Sequence, residues 1–157
     1  MEKIVYFGYG TNRDRAMINA IVGRYPKGFN AKLENFELFI QPWSAIPKKA
    51  KNILKKEWKG DFRSYCIRPK EGKATFGMAW YLTKKERGLI GNWELHNIWY
   101  KPIKVNIKDK REKVFHAETE IVLDKKTKSN VSGGKYKAFI NEKEKMLKVA
   151  RKIREQS

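Results

Sequence analysis

The run VFHAETEIVL, residues 114–123, alternates between two faces of unlike polarity through its middle, Phe115 to Ile121. Phe115, Ala117, Thr119, Ile121 and Leu123 fall on one face of a strand, and His116, Glu118 and Glu120 on the other. A parallel sheet is covered on both sides and reads as continuous hydrophobics. This alternation instead demands a sheet with one wet face, hence mostly antiparallel pairing.

Shorter β-rich runs lie at 3–7 (KIVYF), 33–41 (around FELFI), 62–68, 75–82 and 100–107, with PKEGK expected as a turn between the third and fourth. Helical spacing appears at 13–22, where Ala16, Met17, Ala20 and Ile21 share a face. It returns after Thr83 through Leu89, Ile90 and Trp93, and again at 136–154. Thr11 with Asp14, and Thr83 with Glu86, have the spacing of capping boxes. Residues 42–60, PWSAIPKKAKNILKKEWKG, read as a basic loop with one helical turn. Strands with helices between and after them make an α+β chain, and a sheet of about six antiparallel strands tends to curl into a barrel. The 157 residues suit one domain, 1–157.

No apolar run approaches the roughly 18 residues of a spanning helix, and the N-terminus lacks signal-peptide features. We therefore expect no membrane partner. A single cysteine excludes an internal disulfide framework and fits a cytoplasmic location. Lys and Arg number 36 against 17 Asp and Glu, a formal charge of +19. The cations are mostly lysine and recur along the chain, which reads as a charged surface that binds nucleic acid at most weakly and non-specifically.

Familiar catalytic patterns are missing: there is no GxxxxGK[ST], GxGxxG or GxSxG. His96 and His116 are not at metal-ligand spacing, and Cys66 reads as a small core residue. We expect no metal and no cofactor. Two features remain. FGYGTNRD leaves the first strand through Gly8 and Gly10 into a helix start, an arrangement that offers backbone N–H groups and a positive dipole end to an anion. Glu94 stands between Trp93 and Leu95 at a helix end, where partial desolvation would raise its pKa toward the range of a general acid–base. A helix-end glutamate reaching solvent past Trp93 is the plainer alternative.

The chain resembles the gamma-glutamylcyclotransferase-like family, which includes the AIG2-like group. YFGYGTN is similar to the family's YGSN turn, FELFI to its second strand, and FGMAWYLTKKERGLIGNWE to its glycine-led strand, helix and acid. Tyr100 in WYKPIKVNI, and Ser132 with Tyr136 in SGGKYKAFI, fall in order where the family has a strand-leading tyrosine and a serine–tyrosine pair opening a helix. The resemblance implies a small mixed, mostly antiparallel barrel with helices around it. It also implies cyclisation of a gamma-glutamyl amide or peptide to 5-oxoproline with release of the amine. Glu94 would be catalytic, and Gly8, Tyr9, Gly10, Thr11, Asn12, Tyr100 and Tyr136 would bind substrate. The expected partner is that small molecule, on a monomer or homodimer. The chain departs from the family at Thr11, usually serine, at Arg13, usually apolar, and at Leu95, usually glycine. The other reading is a catalytically silent relative that uses its basic surface to bind anions or nucleic acid.

Overall fold

In the computed structural model, which describes residues 3–122 and 136–157, strand β1 (Lys3–Gly8) enters a 3-10 turn (Thr11–Arg13) and then helix α1 (Arg15–Val22). Strand β2 (Gly28–Gln41) leads through a second 3-10 turn (Trp43–Ala45) to α2 (Lys48–Leu54). Strand β3 (Ser64–Thr83), helix α3 (Lys84–Trp93), strands β4 (Tyr100–Lys108) and β5 (Val114–Val122), and helix α4 (Lys143–Glu155) complete the order. The five strands close into a barrel in the order β1-β3-β2-β4-β5. Neighbours are antiparallel, except that β5 meets β1 in parallel with Tyr6 opposite Glu118. The architecture is thus a mixed, mostly antiparallel barrel with helices, of the α+β class. No helix among the described residues is long and apolar enough to cross a membrane.

Alternation along the strands divides the apolar residues between two cores. Phe7, Leu33, Ile67, Ala79, Ile107 and Ala117, drawn from all five strands, pack together inside the barrel. Their neighbours Tyr6, Cys66, Trp80 and Tyr100 face outward against Met17, Ile18 and Ile21 of α1 and Met146 and Leu147 of α4. Thr119 points inward, where its hydroxyl donates to the Phe7 carbonyl at 2.7 Å.

Four local expectations change. PKEGK does not separate two strands: residues 64–83 form one strand, because both halves pair with β2 rather than with each other. The extra residues leave as a bulge opposite Asn35, whose side chain accepts from the Gly72 amide at 3.1 Å. Asp14, not Thr11, caps α1, with its carboxylate accepting from the Ala16 and Met17 amides. Helix α4 starts at Lys143, so Tyr136, Phe139 and Ile140 approach it in irregular backbone. Finally, Glu120 is not on a wet face. It is 1% exposed, because α3 and the turn after it cover that side of β5. The second capping box is present as expected: the Thr83 hydroxyl accepts from the Glu86 amide, and the Glu86 carboxylate from that of Thr83.

Candidate active site

The turn after β1 is shaped by two glycines, each required by space. A Cβ on Gly8 would lie 2.4 Å from the Asn12 carbonyl oxygen, and one on Gly10 would lie 2.6 Å from Tyr65 Cβ. These close approaches fold the turn back so that the Asn12 carbonyl accepts from Trp80 Nε1 at 2.9 Å. The Asn12 side-chain Nδ2 then reaches Tyr6 Oη at 2.8 Å and Glu94 Oε1 at 2.7 Å, donating to both. Gly8→Ala is expected to destabilise the protein by about 1–3 kcal/mol and to loosen the Asn12–Glu94 contact; urea unfolding measures the first effect.

Glu94 follows the last turn of α3 and closes it, its amide donating to the Ile90 carbonyl at 2.8 Å. Leu95 then adopts a left-handed backbone, φ 50°. This is the conformation that glycine takes most easily, and it explains in physical terms why a glycine suits that position. The side chain of Glu94 borders a cavity of about 120 Å³, room for a small organic group where a single water needs roughly 10–15 Å³. Burial pushes its pKa up to about 8, the nearby Glu120 charge adds to this, and the Asn12 hydrogen bond and the Arg87 charge oppose it.

That shift has a consequence for stability. A carboxyl whose pKa rises on folding favours the folded state below its unfolded pKa, and the benefit is lost as pH rises toward 8. Glu94→Gln is therefore expected to gain on the wild type between pH 5 and pH 9, by on the order of 2–4 kcal/mol. Urea denaturation at the two pH values reads the difference. An equal gap at both would mean that the carboxyl titrates normally.

Behind Glu94 lies a buried ionic group that the sequence reading missed. Glu120 accepts from Arg87 Nη1 at 2.7 Å, and its other oxygen lies 2.5 Å from His96 Nε2. Arg87 also donates to Glu118 at 2.9 Å and lies over the Tyr6 ring, 4.9 Å from its centroid. The Tyr9 hydroxyl donates to the Glu120 carbonyl at 2.9 Å. Glu120 borders the same cavity as Glu94. Among the described residues two buried side-chain polar atoms lack a partner, Asn12 Oδ1 and Arg87 Nη2, and both belong to this network.

Of the residues expected to bind substrate, Tyr9, Gly10, Thr11 and Asn12 line the cavity together with Glu94. Gly8 stands one step behind, against Asn12. Tyr100 is buried in the cavity's support, where its hydroxyl donates to the Tyr65 carbonyl at 2.9 Å and lies 2.6 Å from Ser64 Oγ and 3.2 Å from Cys66 Sγ. Tyr136 stacks on Tyr65, 5.6 Å between ring centroids, beneath the guanidinium of Arg13. Ser132 lies outside the described residues. The basic segment 42–60 acquires a place: Ile53, Leu54, Glu57 and Trp58 line the cavity together with Met146, Val149 and Ile153 of α4. No three His, Cys, Asp or Glu side chains gather as metal ligands among the described residues.

No protein-family model and no curated protein sequence matches the chain. Solved structures do resemble it. A gamma-glutamyl cyclotransferase superimposes over 84% of this chain and 70% of its own, with a TM-score of 0.61 at 17% identity. An Arabidopsis thaliana protein of known solution structure covers 97% of this chain and 85% of its own, with a TM-score of 0.60 at 19% identity. A yeast gamma-glutamyl cyclotransferase specific to glutathione covers 99% and 97%, with a TM-score of 0.53 at 11% identity. The closed, mostly antiparallel barrel and these superpositions agree: the chain has the fold of the gamma-glutamyl cyclotransferases.

Proposed function

We propose that the protein converts a gamma-glutamyl amide to 5-oxoproline and releases the amine. The observation that carries this reading is that Glu94 and the Tyr9–Asn12 turn border one cavity, with the Asn12 amide donating to the Glu94 carboxylate at 2.7 Å. The glutamyl carboxylate would sit on backbone N–H groups of the Tyr9–Asn12 turn, since Asp14 already takes the first amides of α1. Glu94, ionised, accepts a proton from the α-ammonium, and the freed amine attacks the γ-carbonyl carbon. As that C–N bond forms and the original amide C–N bond breaks, Glu94 hands protons to the departing nitrogen. Of the three ammonium protons, one stays on the lactam nitrogen and two leave with the amine as ammonium. One carboxyl group serves both halves because nucleophile and electrophile belong to one molecule, so proximity is supplied by the substrate. A pKa near 8 suits a group that must both accept and donate.

The test is a panel of gamma-glutamyl amines and peptides incubated with the protein in ¹⁸O-water and analysed by mass spectrometry. The expected result is 5-oxoproline free of ¹⁸O, with free amine in equal amount. Labelled glutamate instead would identify a hydrolase, and no product from any member would defeat the reading.

A further inference from the structure

The chain carries 36 lysines and arginines, yet among the described residues none lines the cavity, whereas three acids do: Glu57, Glu94 and Glu120. The cavity has two unlike walls. On the barrel side stand Asn12, Glu94 and the backbone of the turn, which the proposed reaction uses for the glutamyl group. The lining contributed by α2, α4 and the residues near them is mostly apolar. It consists of Ile53 and Leu54 from α2, Trp58, Trp99, and Met146 and Ile153 from α4, with Glu57, paired to Lys152, among them. Trp58, Trp99 and Met146 are almost fully buried, at 6%, 4% and 3% exposure, and Trp99 Nε1 is already bonded to Gln41 at 2.9 Å. Two cations beside these residues are engaged: Lys152 pairs with Glu57 at 2.8 Å, and Lys145 lies over the Trp58 ring, 4.8 Å from its centroid.

A substrate seated with its glutamyl group against the turn directs its amine portion at this apolar wall. A carboxylate on that portion, as in a gamma-glutamyl amino acid or peptide, would lose water without a lining cation to meet and would share the cavity with three acids. An alkyl or aryl group would bury apolar surface against tryptophan, isoleucine and methionine instead. Resting on the proposed cyclisation, we infer that the amine released is apolar, an alkyl- or arylalkylamine with no charge beyond the leaving nitrogen.

The experiment compares γ-glutamyl-phenethylamide with γ-glutamylglycine in two assays. The first is kcat/KM for 5-oxoproline formation by the wild type; the second is calorimetric binding to the wild type and to Glu94→Gln. Preference for the phenethylamide by at least about thirtyfold is expected in both. Ile53→Lys, which adds a cation to the apolar wall, is expected to narrow that ratio by weakening the phenethylamide and strengthening γ-glutamylglycine. If the phenethylamide binds but yields no 5-oxoproline, the reaction is wrong and the ligand class stands. Equal or stronger handling of γ-glutamylglycine overturns the inference, as does failure of both compounds to bind.

Discussion

Glu94→Gln is expected to lower turnover by about a hundredfold or more while leaving substrate affinity within a few-fold of the wild type. The two side chains share shape and volume. The glutamine carbonyl can accept the Asn12 hydrogen bond that Glu94 Oε1 accepts at 2.7 Å, so the turn keeps its position. What is removed is a group able to carry a proton from one nitrogen to the other. Such a loss falls on kcat rather than on binding, because the interaction it deletes exists only as protons move. Single-turnover kinetics together with calorimetry separate the two. Wild-type turnover in the variant would remove Glu94 from the chemistry. A matching loss of affinity would make it a binding residue only.

The second large effect belongs to Arg87. Its guanidinium is the cation that faces the nearly inaccessible Glu120 carboxylate, at 2.7 Å, and it also holds Glu118 at 2.9 Å. Arg87→Ala leaves a buried carboxylate short of its cation. Breaking one partner of a buried pair costs about 3–5 kcal/mol, a large share of the 5–15 kcal/mol typical of a small protein. The variant also strips the π face of Tyr6 of its cation. Adding Glu120→Gln to it should return part of the loss, because the uncompensated charge disappears. Urea unfolding of the wild type, both single variants and the double variant forms the cycle. A cost below about 1 kcal/mol for Arg87→Ala would mean that the pair behaves as a surface contact. Arg87 also holds the Glu94 pKa down, so folded Arg87→Ala protein should need a higher pH to ionise Glu94.

What could be read from the sequence was mostly local. Lys3–Gly8 and Val114–Val122 announce themselves by composition and alternation, and the Thr83–Glu86 box fixes the start of α3. From that start the helix runs to Trp93 and leaves Glu94 at its end. What stayed hidden depends on partners remote in the chain. Period-two alternation tells which face Glu120 shares with His116, but not that α3 covers one and leaves the other exposed. Arg87 and His96 were the available hint: a cation on a helix and an imidazole just beyond it, both following the strand's polar face. Residues 64–83 read as two strands because PKEGK is good turn chemistry, and only pairing of both halves with β2 keeps them as one. The segment 42–60 has little pattern of its own, since its apolar residues serve a cavity completed by α4, nearly a hundred residues later. Asp14 took the cap expected of Thr11 because Gly8 and Gly10 pull the chain into a 3-10 turn first, delaying the α-helix.

The most direct trial of Glu94 as the proton carrier is the rate of 5-oxoproline formation by the wild type, as kcat/KM, across pH 5 to 9. With the carboxyl held near 8, the active ionised form is scarce at low pH. The rate should climb about tenfold per pH unit and level off near pH 8. A profile already flat from pH 5.5, the behaviour of an ordinary glutamate, or no 5-oxoproline at any pH, would contradict the account.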